Sequence, residues 1–235
     1  QIVSLQDEWD LWAFLRSLLY AGALLTITLA ALYRLSPWVL NNLSRLALLL
    51  VISVAWLLAA KFMVVNHPWL PYLYPLPALG LLLAVLCDQR VAFVMVAAFA
   101  LVVLYLSMGS AQLTAFTLLG SLAALLVVGR GERLNAFLWA ALVGAGINML
   151  VLSAFWIPFT AVGAPSLTEA ILMALINGVL SAAIGLIGYF VLGTIGGLLP
   201  GFSVYSGLAH IAPAAGDHDT STQSVAWLAT LGGAQ

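Results

Sequence analysis

Long apolar stretches run through most of the chain, broken at intervals by short polar or proline-containing segments. The breaks predict a first helical span over 12–33, stopped by Arg34 and Ser36-Pro37, and a second over 46–65. A third follows Pro68-Trp69-Leu70-Pro71 and ends at Asp88-Gln89-Arg90. Pro75 and Pro77 fall near its first turn, where a missing N–H is tolerated because the first N–H groups of a helix have no partner within it. A fourth span covers 91–108, and a fifth covers 113–128 after the turn at Gly109-Ser110. The polar run Gly129-Arg130-Gly131-Glu132-Arg133 separates it from a sixth over 137–159. Gly163, Pro165 and Ser166 interrupt again before a seventh over 170–192, extendable to 199 and closed by Pro200-Gly201. Runs of about 20 residues, at about 1.5 Å each, match a hydrocarbon core of ~30 Å. A closed β-barrel also satisfies its backbone in lipid, but its short segments alternate in polarity and these do not. The expected fold is therefore all-α and polytopic. A bundle of about seven transmembrane helices would occupy 12–200, between an external segment 1–11 and a short cytoplasmic tail 201–235.

Composition strengthens this picture. The chain is 64% hydrophobic and 6% charged, against roughly 25% charged in a soluble domain, so most of its surface is expected to face lipid. A net charge of −1 speaks against a nucleic-acid partner, which needs a basic face. The single cysteine, Cys87, excludes an internal disulfide and a CxxC site. No Asp or Glu falls near the middle of a span, and His67, His210 and His218 all lie outside the spans. Pumps and proton-coupled carriers keep ionisable groups at such depths, so that class loses ground, and no cofactor or metal is expected. The chain begins at Gln1, and residues 1–10 are acidic and lack the pattern of a signal peptide. It is expected to be a processed chain or a piece of a longer one.

Charge also predicts orientation. Arg34, Arg45, Arg90, Arg130 and Arg133 fall on the side of the C-terminal tail, while Arg16 and Lys61 fall on the other. Lys and Arg in short loops mark the cytoplasmic side, so the N-terminus is expected outside and the C-terminus inside. Trp9, Trp12, Trp38, Trp69, Tyr72 and Tyr74 lie near span ends, as interfacial aromatics do.

The polar residues within spans are amides and hydroxyls. Asn148 and Asn177 lie on the sixth and seventh spans; they read either as hydrogen-bonding glue between helices or as a ligand or signalling position, and the two are placed to face each other. The seventh span carries Gly178, Ser181, Ala182, Gly185 and Gly188. Gly178, Ala182 and Gly185 share one side at spacings of four and three. Such a face lets two backbones approach closely, either inside the bundle or against another membrane protein or a second copy of this chain. The tail, rich in Gly, Ala, Ser and Thr, has room for a short helix at 224–231 but not for a folded domain. His218-Asp219, with His210 before them, resemble metal ligands, but too few residues follow to complete a site.

Several motifs, taken as a set, resemble the membrane region of the bacterial 7TM–HD receptors. Tyr74-Pro75-Leu76-Pro77-Ala78 opens the third span and Leu86-Cys87-Asp88-Gln89-Arg90-Val91-Ala92 closes it. Gly129-Arg130-Gly131-Glu132-Arg133-Leu134-Asn135, Gly144-Ala145-Gly146-Ile147-Asn148 and Ile176-Asn177-Gly178-Val179-Leu180-Ser181 complete the set. The resemblance covers about 12–197. It implies a bacterial cytoplasmic membrane location, an extracellular sensor domain before the bundle, and after it an HD domain that hydrolyses cyclic di-AMP with a metal pair. The family's Tyr-His-His-Ser type motif, which carries the first metal ligand, has as its nearest look-alike here Thr220-Ser221-Thr222-Gln223-Ser224-Val225, without a histidine. No catalytic residue carries over, and the chain is expected not to be an enzyme. Three readings remain open: a receptor-like anchor or relay, an accessory or scaffolding subunit of a larger membrane complex, and a small transporter.

Overall fold

The computed structural model describes residues 11–67, 69–128, 134–156 and 167–195. Residues 1–10, the arginine-bearing run 129–133, the break at 157–166 and the expected tail from 201 lie outside the described residues. The chain divides into units 1–192 and 193–235; of the second, only 193–195 are described.

The described residues form eight α-helices and a 3₁₀ turn: α1 (Leu11–Leu35), α2 (Pro37–Leu40), α3 (Leu43–Val64), the turn Leu70–Leu73, α4 (Leu76–Leu86), α5 (Gln89–Leu106), α6 (Ala111–Val128), α7 (Leu134–Trp156) and α8 (Leu167–Ile195). Six of them are long and apolar enough to cross a membrane, and Leu70–Leu86 forms a shorter apolar element. The protein is thus an all-helical membrane bundle.

Local chemistry sets the boundaries. A residue before proline is pushed out of the helical region, so α1 stops before Ser36-Pro37. Proline at the first position then starts α2, a four-residue helix that the apolar pattern alone does not reveal. Asn42 caps α3 by accepting a hydrogen bond from the Arg45 N–H at 3.4 Å. The α5–α6 turn places Met108 and Gly109 at φ 54° and 86°, and the Ser110 hydroxyl accepts from the Leu113 N–H at 3.3 Å.

The third element differs from the continuous span that the apolar run suggests. Its α-helix has only 11 residues, about 16 Å of rise. Every residue from Leu76 to Leu86 except Val85 is buried, so the helix is walled in by protein rather than lipid. It nonetheless carries the chain from one face of the bundle to the other. The Ser17 and Tyr105 hydroxyls share a hydrogen bond of 2.6 Å, and Tyr20 stacks on Tyr105 at 4.7 Å. The end of α5 therefore lies on the face where α1 begins, which requires an even number of crossings from α1 to α5. The four are α1, α3, the 70–86 element and α5. We term the face where α1 begins the first face, and the opposite one the second.

Packing follows the rule for helices in lipid, where close approach rather than hydrophobic expulsion holds neighbours together. A Cβ built on Gly144 would lie 3.1 Å from the Gly120 carbonyl oxygen, and one on Gly80 would touch Val96 at 3.0 Å and Leu125 at 3.1 Å. These glycines bring α6 against α7, and α4 against α5 and α6. In contrast, only 6% of the apolar window of α1 and 22% of that of α3 is buried within the chain.

Candidate functional site

The polar centre of the bundle is the break that opens the third element. Pro75 and Pro77 have no N–H to donate to the preceding turn, so the chain cannot run as one helix from Leu70 to Leu86. The Tyr74 carbonyl accepts from the Leu76 N–H at 2.9 Å and the Pro75 carbonyl from the Ala78 N–H at 3.1 Å. Backbone that leaves helical geometry at membrane depth must find partners in surrounding protein. Side chains from two other helices supply them. Asn177 of α8 donates both hydrogens of its Nδ2, to the carbonyls of Tyr72 at 2.9 Å and Tyr74 at 3.0 Å. The Trp56 indole N–H of α3 donates to the Pro75 carbonyl at 3.1 Å, and the Tyr74 hydroxyl donates to the Trp56 carbonyl at 3.2 Å. The Tyr72 ring meets Phe116 of α6 edge-on at 5.5 Å. Tyr74 is fully buried.

Asn177 and Asn148 do not pair as their positions in the sequence suggest. Both are buried, but neither amide oxygen accepts a hydrogen bond from a described group. Asn177 faces the break, while Asn148 lies flat against Gly120 of α6, where an added methyl would overlap its amide. Gly178, Ala182 and Gly185 are all buried. A Cβ on Gly178 would lie 2.9 Å from both the Ala141 carbonyl oxygen and the Ala145 Cβ. One on Gly185 would lie 3.5 Å from the Leu81 Cβ and 3.7 Å from Phe137. The small-residue face of α8 is therefore occupied within the chain, against α7 and α4. The side of α8 that remains exposed carries Leu172, Ile176, Val179 and Ile187.

The carbonyls of Tyr72 and Tyr74 were not legible as partners of Asn177, nor Trp56 as the donor to Pro75. The available signal was the pair Pro75 and Pro77, which announces unpaired carbonyls without saying what caps them. None of the side chains around the break carries a charge at neutral pH. Among the described residues, no group of three His, Cys, Asp or Glu is placed to hold a metal ion.

Charge collects instead at the second face. The Arg45 guanidinium lies over the Trp38 ring, 4.4 Å from its centroid, a cation–π contact. Burial pushes the Cys87 thiol up to about 11; the Arg45 charge opposes the rise and Asp88 adds to it. Because the thiolate is the reactive form, Cys87 is expected to label slowly with iodoacetamide near neutral pH, at a rate that keeps rising with pH up to about 11. Fast labelling at neutral pH would contradict this environment.

The model of a protein family described as "7TM receptor with intracellular HD hydrolase" matches residues 11–199 of the chain. No curated protein and no solved structure matches it.

Proposed function

Since the chain belongs to the family of 7TM receptors with intracellular HD hydrolases, we propose that it is a non-catalytic, receptor-like membrane module that links events at the start of α1 to the end of α8. One observation carries this reading. Asn177, on the last described helix, holds the carbonyls of the break nearest the first face. A displacement of the 69–75 segment thus has a direct polar connection to α8. The absence of charged side chains around the break speaks against a proton-coupled carrier, which needs them.

The proposed orientation puts the first face outside and the second in the cytoplasm, in a bacterial inner membrane. Its support is the placement of Arg34, Arg45 and Arg90 at the second face, against Arg16 and Lys61 at the first. Met108, at the tip of the α5–α6 turn, is 96% exposed. A Met108→Cys variant is expected to react with an impermeant thiol reagent applied to intact cells, over a low Cys87 background. Labelling only after lysis would reverse the orientation.

A second reading, an accessory or scaffolding subunit, is favoured by the large apolar surface of α1 and α3 that this chain leaves uncovered. Purification from native membranes tests both. The receptor reading expects an HD-type output domain, on the same polypeptide or bound to it, and no metal-dependent cyclic di-AMP hydrolysis from the 1–235 chain alone. Recovery within a stoichiometric multi-subunit complex lacking such a domain would favour the second reading.

A further inference from the structure

Seven hydroxyls inside these helices share one habit, and Ser181 departs from it. Thr26, Thr28, Ser53, Thr114, Thr117, Ser121 and Ser153 each donate to the carbonyl four residues earlier, at 2.6–2.9 Å. This is the usual way for a hydroxyl to be satisfied within a helix in lipid. Ser181 is fully buried, yet its hydroxyl bonds neither the Asn177 carbonyl nor any other described group. One turn away on the same helix face sits the Asn177 side chain.

The orientation of that amide is not arbitrary. Two carbonyl oxygens, of Tyr72 and Tyr74, lie within 3.0 Å of Nδ2. A flipped amide would set its oxygen against both, so the NH₂ must face the break. Oδ1 is thereby turned away from the break, into a buried position where no described group donates to it. Leaving a buried acceptor unsatisfied costs about 1–3 kcal/mol. Here an acceptor and a hydroxyl, both without partners, lie one turn apart on one face.

We propose that Asn177 and Ser181 form a binding site for a single buried water molecule. The water donates one hydrogen to Asn177 Oδ1 and accepts the hydrogen of the Ser181 hydroxyl. A neutral hydrogen-bond donor fits the chemistry better than a cation. No carboxylate is among the residues around the break, and the Tyr72 and Tyr74 carbonyls already hold the Asn177 hydrogens. Buried waters typically make two to four hydrogen bonds to otherwise unsatisfied groups. This one would complete the polar junction between the broken element and α8.

The test is water-to-protein magnetisation transfer by solid-state NMR, on the full chain in lipid bilayers with labelled Asn and Leu. Early transfer from water to the Asn177 side-chain amide is expected, well ahead of transfer to the buried Leu79 and Leu81 of α4. In Ser181→Val, which removes the hydroxyl and fills its place with apolar carbon, that early transfer is expected to be lost while the rest of the spectrum is kept. Transfer to wild-type Asn177 no faster than to those leucines would overturn the proposal. So would early transfer that persists in a folded Ser181→Val variant. The wild-type comparison decides the matter alone if that variant does not fold.

Discussion

Replacing Asn177 with alanine is expected to lower the stability of the bundle by about 2 kcal/mol, the largest effect of any single polar side chain in it. The estimate takes roughly 1 kcal/mol for each hydrogen bond withdrawn from a buried carbonyl, within the upper range measured between membrane helices. The carbonyls of Tyr72 and Tyr74 lose these donors in a segment packed against α3, α6 and α8. Asn148→Ala should cost less, since the Asn148 oxygen accepts no bond that would be lost. Reversible unfolding in mixed micelles, followed by far-UV circular dichroism, measures both variants. A cost for Asn177→Ala equal to or below that for Asn148→Ala would remove the break from the centre of this account.

The second large effect separates two glycines that look equivalent in the sequence. Gly178→Ala is expected to destabilise by about 1–3 kcal/mol, the range for overpacking. The added methyl would meet the Ala141 carbonyl oxygen and the Ala145 Cβ at 2.9 Å, and a helix backbone cannot step aside as a side-chain tip can. Gly185→Ala should be nearly neutral. Its methyl meets Leu81 at an ordinary contact distance of 3.5 Å, and alanine favours the helix by up to about 1 kcal/mol over glycine. Unfolding midpoints of the two variants check the order. Equal costs would mean that α7 and α8 do not approach as described.

The same glycines mark what a sequence can and cannot say. The long spans were legible because lipid demands both length and apolarity, and their ends because Ser36-Pro37, Asn42 and Gly109 leave few backbone choices. The 70–86 element was legible as apolar, but not as enclosed. Leu79, Leu81 and Leu83 would be written identically for a lipid-facing helix and for one surrounded by protein, since either setting accepts leucine. The small-residue face of α8 was visible in the spacing of Gly178, Ala182 and Gly185, whereas the side it turns to depends on the tilt and rotation of its neighbours. Asn177 stood out as a polar residue in an apolar run. Its partners did not, because they are backbone carbonyls, which carry no side-chain signature and are freed only by a break whose geometry emerges in three dimensions.

The short helix α4 lies inside the bundle against the small-residue face of α8. A Cβ on Gly185 would lie 3.5 Å from the Leu81 Cβ, within the roughly 3.5–4.5 Å that a disulfide requires. The most direct measurement is therefore oxidation of a Leu81→Cys/Gly185→Cys double variant in native membranes with a lipid-permeant catalyst. A protease site placed in the 129–133 segment then separates the two halves, and Cys87→Ser removes the background thiol. The cleaved halves are expected to stay joined at monomer size until reduced, and neither single-cysteine chain is expected to form a dimer. Separation of the halves, or dimers held through residue 185, would contradict this packing.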